Sequence, residues 1–157
     1  MKKNLNYFMV LIVILSGIGF SGCTEQLANL SLVTTEKVEI GGKYKKLKSS
    51  EGIDKKIWIL FIPIGVPNVG RAVEDCIANG NGVLITDAVL TRTSWWFLLY
   101  GENDFTIKGD VWGKADVGDL NNPDIEIFEL RGNMNDLELV SLTYPDNVVK
   151  VSHYIEN

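Results

Sequence analysis

Histidine and cysteine are nearly missing from this chain. Its 157 residues include one histidine, His153, and two cysteines, Cys23 and Cys76. That is too few for a zinc site without carboxylate help. A Ser-His-Asp relay needs its histidine buried beside an activated serine. No G-x-S-x-G turn is present, Ser94 lies in an apolar run, and His153 reads as a surface residue on the last strand. Basic charge is also short: 15 Lys and Arg against 20 Asp and Glu leave a formal charge of −5. Without a basic excess to neutralise phosphates, the balance argues against nucleic acid as a partner. The stretch Gly109-Asp110-Val111-Trp112-Gly113-Lys114 lacks the spacing and the Ser/Thr of a phosphate loop and lies in a strand. Asp116, Asp119, Asn121 and Asp124 share one loop but not the spacing of a calcium-binding loop, and read as solvated. Glu74 and Asp75 are adjacent on a helix and diverge, which makes a poor acid–base pair. The expectation is therefore no catalytic residue, no metal and no cofactor, in a protein that is not an enzyme.

What the chain does have begins at its N-terminus. Lys2 and Lys3 precede an apolar stretch from Leu5 to Gly19, which ends in Phe20-Ser21-Gly22-Cys23. This is the basic, apolar, small-residue order of an export signal. The apolar run is short of the about 20 residues that a transmembrane helix needs. An uncleaved N-terminal anchor is the competing reading. Phe20 to Cys23 resembles the lipobox of bacterial lipoproteins, with Phe20 where Leu is commonest in that family. The resemblance implies cleavage before Cys23, a diacylglycerol on its thiol and an acyl group on its new amino terminus. It implies a membrane partner through Cys23 and a place in the cell envelope. Thr24 stands where Gram-negative relatives retained in the inner membrane carry Asp, so the resemblance further implies the outer membrane, facing the periplasm. Cys76 then has no disulfide partner, and its position on an apolar helix face predicts a buried, inert thiol.

The resemblance implies a signal peptide (residues 1–22) and a lipidated N-terminus with a short tether (23–31); length and composition make the rest one domain (32–157). Leu32–Ile40 reads as a first strand. Lys43, Lys45, Lys46 and Lys48 read as a solvated edge that blunts strand pairing, or, near a lipid anchor, as a contact for anionic headgroups. Ile57–Ile62 is continuously apolar and of strand length, which predicts a strand buried on both faces. Val69, Ala72, Val73, Cys76 and Ile77 recur at helical spacing and predict a helix over 66–79. Val83–Thr93 reads as a long strand, Gly101–Asp104 as a hairpin turn and Phe105–Ala115 as an alternating, half-exposed strand. Three further short strands are expected over 125–130, 137–144 and 148–155, and these C-terminal strands, rather than a second copy of the chain, are expected to cover the second face of Ile57–Ile62. The fold class expected is α+β: one short helix packed on a mainly antiparallel sheet, with additional C-terminal strands.

The stretch from Trp58 to Val111 loosely resembles small envelope lipoproteins that share an apolar strand, a short helix, a strand such as Leu84-Ile85-Thr86-Asp87 and a later one such as Ile107-Lys108-Gly109. That resemblance implies a compact fold and no particular activity. Aromatics supply the remaining functional signal. Trp95, Trp96, Tyr100 and Trp112 fall on strands expected to pair. They either pack across the sheet, Trp96 on a partly exposed Trp112, or form a surface for a partner or ligand. The function expected is a membrane-anchored envelope lipoprotein serving as a structural or interaction module. The alternative is a small-ligand binder using the aromatic face.

Overall fold

A computed structural model of the chain describes residues 20–97, 99–133 and 136–151. Residues 1–19, expected to belong to an export signal, and His153 lie outside the described residues. The described strands are β1 (Phe20–Thr34), β2 (Lys43–Ile59), β3 (Ile62–Ile64), β4 (Leu84–Phe97), β5 (Tyr100–Lys114), β6 (Ile127–Asn133), β7 (Asp136–Ser141) and β8 (Val148–Lys150). Two helices accompany them, α1 (Val69–Gly80) and the single turn α2 (Val117–Leu120). One antiparallel sheet runs β1-β4-β5-β2-β6-β7-β8, with β3 folded back on β2.

The expected α+β class is thereby corrected. Strand far outweighs helix, and the sheet curls into a nearly closed, barrel-like form. The reason lies in strand length. The residues read as tether, as lysine edge and as hairpin turn are all ladder. Thr24–Leu30 pairs with β4 without slack apart from one bulge after Gln26. Lys43–Lys48 runs along an interior strand paired with β5, and over Lys43–Lys45 with β6 as well, about 26 Å or more along β2 from Lys56 on the rung of Cys23. Gly101–Asp104 pairs on both sides, with β4 and with β2. Long strands with the usual twist wrap rather than lie flat under a helix.

Helix α1 forms where the apolar spacing places it. Asn68 caps it by accepting from the Arg71 N–H at 3.3 Å. Asn81 ends it in the left-handed conformation, φ 56°. The buried carboxylate of Asp54 on β2 pins the start of the helix, accepting from the Asn68 N–H at 2.7 Å and from Lys56 at 2.8 Å. The Lys56 hydrogen bond holds this carboxyl below the usual carboxylate value; burial opposes it, while the Asn68 N–H and the nearby Arg71 charge add to it. Gly52 gives the helix its seat, because a Cβ there would collide with the Ala72 carbonyl and the Cys76 backbone. Cys76 is fully buried as expected, and burial pushes its thiol up.

The sheet has a core on each side. On the helix side Ala72, Val73, Cys76 and Ile77 meet Ile85, Ala88, Leu90, Ile107 and Val111. On the other side Tyr44, Leu84 and Trp112 meet Phe128, Leu130 and Leu139 from the C-terminal strands and Val151 just after β8. Trp112 is therefore core, with 2% of its surface exposed, and not the partly exposed residue its strand's alternation predicts. Its neighbours Asp110 and Lys114 are polar, but at its own position the strand faces a second apolar layer. Its Nε1–H donates to Thr86 Oγ1 at 2.9 Å, and its ring meets Phe128 edge-on at 5.0 Å. The C-terminal strands cover this end only. β6 touches β2 at Lys43–Lys45, so none of the described C-terminal strands folds over Ile57–Ile62.

Candidate functional site: an apolar tip beside Cys23

The stretch expected to be most buried is the most exposed apolar segment described. Phe61 is 67% exposed, Ile62 65% and Leu60 56%, and Ile59, Ile64 and Val66 are exposed beside them. β2 and β3 make a hairpin in which Ile59 pairs with Ile62, leaving Leu60 and Phe61 as the two turn residues. Both have positive φ, 50° and 68°. Two-residue turns of this kind favour Asn-Gly, and a bulky residue there costs about 1–2 kcal/mol. The Leu60 N–H donates to the Leu99 carbonyl at 2.7 Å, which ties this hairpin to the β4–β5 hairpin beside it.

Register fixes the rest of the tip. The outermost rung carries Ile59, Tyr100 and Phe97; the next carries Trp58, Gly101 and Trp96; the third carries Ile57, Glu102 and Trp95. Along β1 these rungs meet Phe20, Ser21 and Gly22. Gly101 separates two tryptophans on the helix-side face; a Cβ there would lie 2.5 Å from the Trp96 ring. The gap lets Trp58 meet Trp96 edge-on at 6.2 Å, while Phe61 stacks on Trp96 at 5.1 Å. Trp95 and Tyr100 pair on the opposite face at 5.4 Å. Both faces of the tip are thus apolar. Among its described residues only Glu102 carries charge, and Lys55 from two rungs below reaches it at 3.3 Å.

The fourth rung is where polarity begins: Lys56, Asn103, Ser94 and Cys23. Cys23 is exposed there, on the same face as Trp96 by alternation. Of the binding residues expected from sequence, Trp95, Trp96 and Tyr100 come together at the tip, and Trp112 lies apart in the core. Trp96 does not pack on Trp112; it faces Gly101, while Trp112 pairs with Leu84. Leu60 and Phe61 were missed. The legible hint is Pro63, which removes a ladder donor and argues against a central buried strand at this point.

A second concave feature lies at the covered end. A cleft of about 380 Å³ opens over Trp112 and Phe128, with Lys46, Asp87, Asp110 and Asp124 on its walls. Asp87 is exposed and sits in a bulge at φ 50°, not in an ion pair with Arg71 or Arg92 as its mid-strand position invites. Asp110 accepts from Lys46 at 2.6 Å and Ser49 at 2.5 Å. Burial pushes its carboxyl up, and these two bonds outweigh it, leaving the value low. Asp116 and Asp119 reciprocally cap α2, and Lys45 holds Asp119 at 2.6 Å. No group of His, Cys, Asp and Glu suited to a metal occurs among the described residues. No protein family, curated protein or solved structure matches the chain.

Proposed function

We propose that this chain is an envelope lipoprotein, anchored through acylated Cys23, whose sheet serves as a structural or interaction module held directly on the membrane. The observation that carries this reading is the position of Cys23. It is exposed on the boundary rung between the apolar tip and the polar body, in a strand paired with β4. Acyl chains attached there leave the protein beside its most apolar surface. Because Thr24–Leu30 is strand and not tether, the anchor has no slack and holds the tip towards the bilayer. The charged end, with its ion pairs Lys45–Asp119 and Lys46–Asp110, then points away, towards envelope partners. Among the described residues no helix is long and apolar enough to cross a membrane. Thr24 after the anchor supports sorting to an outer membrane with the body in the periplasm.

Intact-mass measurement of the protein from membranes tests the reading. The expected species starts at Cys23 and carries added acyl mass. Cys23→Ser is expected to leave an uncut precursor. A mature chain beginning elsewhere, or one without acyl mass, overturns the anchor.

Small-ligand binding keeps one observation in its favour, the acidic cleft above Trp112. It fits a small cationic ligand rather than the aromatic face first expected, since Trp112 forms its floor from within the core.

A further inference from the structure

We propose that the tip itself is a lipid-inserting element: Leu60, Phe61 and Ile62, with the tryptophans behind them, enter the headgroup–acyl boundary of the bilayer to which Cys23 is anchored. The orientation rests on the reading of Cys23 as the lipidated residue. The apolar surface and its strain do not.

Geometry supplies the first argument. β1 enters the sheet at the tip and runs away from it, so the leader side of Cys23 is the tip side. Three rungs and a turn project beyond Cys23, about 10 Å at the usual rise per residue. Interfacial elements bury their apolar faces to about 5–10 Å. A protein held by acyl chains at the fourth rung, with no tether, cannot keep those three rungs out of the boundary region. Cleavage before Cys23 would also remove Phe20–Gly22, the segment flanking Trp95–Phe97 on that edge.

Chemistry supplies the second. The tip is apolar on both faces, which a docking site for one flat protein partner does not require but immersion does. Behind its apolar turn stand Trp58, Trp95, Trp96 and Tyr100, the residue types that settle at the headgroup level. Glu102, the charge among the three rungs, is held by Lys55 at the rung nearest the polar body.

Strain supplies the third. Leu60 and Phe61 occupy positive φ where Asn-Gly would sit without cost. Their side chains are exposed, so burial within the described fold does not offset that cost. Strained and exposed apolar residues at a projecting turn mark a site whose compensation lies outside the chain.

The test uses the full acylated protein reconstituted into phosphatidylcholine vesicles whose lipids carry bromine at shallow acyl positions. Tryptophan emission is expected to be quenched, with core Trp112 contributing the protected remainder. Leu60→Asn/Phe61→Gly installs residues suited to the turn, so it is expected to melt at a higher temperature while its quenching falls several-fold. That opposite movement separates insertion from misfolding. Equal quenching in the variant and the parent overturns the proposal, because the anchor alone then accounts for it. So does absent quenching with tip-to-tip crosslinked dimers, which would assign the surface to a second copy. The two readings fail separately. Acyl mass at Cys23 without quenching retains the anchor and removes the insertion. Quenching in the membrane-bound Cys23→Ser precursor that is lost in the Leu60→Asn/Phe61→Gly background supports insertion whatever the mass at Cys23.

Discussion

Trp112 and Trp96 stand on neighbouring strands of one sheet, in surroundings that differ at every level. Trp112 lies between Tyr44, Leu84 and the C-terminal strands, its ring against Phe128 and its N–H on Thr86. Trp96 is half-buried among tip residues that are themselves exposed, stacked under Phe61 and beside Trp58. The strands around both are similarly long and similarly paired. What separates them is cover: β6, β7 and β8 fold over one end of the sheet and reach no further than Lys43–Lys45 on β2. Ladder formation alone therefore does not make a core. A face becomes interior only when a second layer arrives, and at the tip the second layer is not supplied by the described chain.

Trp112→Ala gives the largest expected effect. It removes a fully enclosed indole and leaves the Thr86 hydroxyl and the Phe128 edge without their partner. The expected loss is about 3–5 kcal/mol of unfolding free energy, read by denaturant titration. A loss below about 1 kcal/mol would mean that the C-terminal layer is not packed on the sheet and that the two ends are alike.

Acid is expected to act next. The Lys56 hydrogen bond lowers Asp54 and the Lys45 hydrogen bond lowers Asp119; at Asp110 burial is outweighed by Lys46 and Ser49. A carboxyl whose folded value lies below its unfolded one adds stability that is complete above the unfolded value and disappears as pH falls towards the folded one. The loss should therefore begin near the ordinary value of 3.8 and deepen below it. Two of these groups tie β2 to α2 and to β5 at the covered end, so the near-ultraviolet circular dichroism of enclosed Trp112 should collapse with them. A signal that instead fell between pH 7 and 5 would point to other groups and remove these ion pairs as the acid-sensitive element.

How much of this is legible in the sequence depends on the range of the determinant. The helical spacing of Ala72, Val73, Cys76 and Ile77 is local, and it locates both α1 and the burial of Cys76. The lipobox resemblance of Phe20–Cys23 is local too, and Cys23 falls on the boundary rung. The order β1-β4-β5-β2 is set by partners as far apart as Phe20 and Phe97, and no residue in Thr24–Leu30 announces that it will pair with Ala88–Thr93. Gly101–Asp104 has turn composition, but Gly101 is there to make room for two tryptophans. Ile57–Ile62 reads as core because an unbroken apolar run reports what the strand avoids, namely water, and not what replaces it. Trp112 fails in the opposite sense: polar neighbours on its face suggest solvent, while much of the layer that encloses it comes from beyond Ile125.

The smallest expected effect is the most informative about the tip. Trp96→Ala removes contacts to Trp58 and Phe61 but leaves Gly101, the ladder and the helix-side core untouched. Aromatic pairs of this kind contribute about 0.5–1.5 kcal/mol each beyond area burial, and exposure discounts them here, so a stability loss of about 1 kcal/mol is expected. The same substitution should weaken membrane quenching of the remaining tip tryptophans, because Phe61 loses the ring that holds it over the turn. Trp112→Ala, by contrast, should act on stability with the tip's quenching unchanged wherever the protein remains folded. If Trp96→Ala proves as destabilising as Trp112→Ala, the aromatic cluster is a third core and its exposure serves the fold. If it costs little and membrane contact falls, the indole acts across the boundary between protein and lipid.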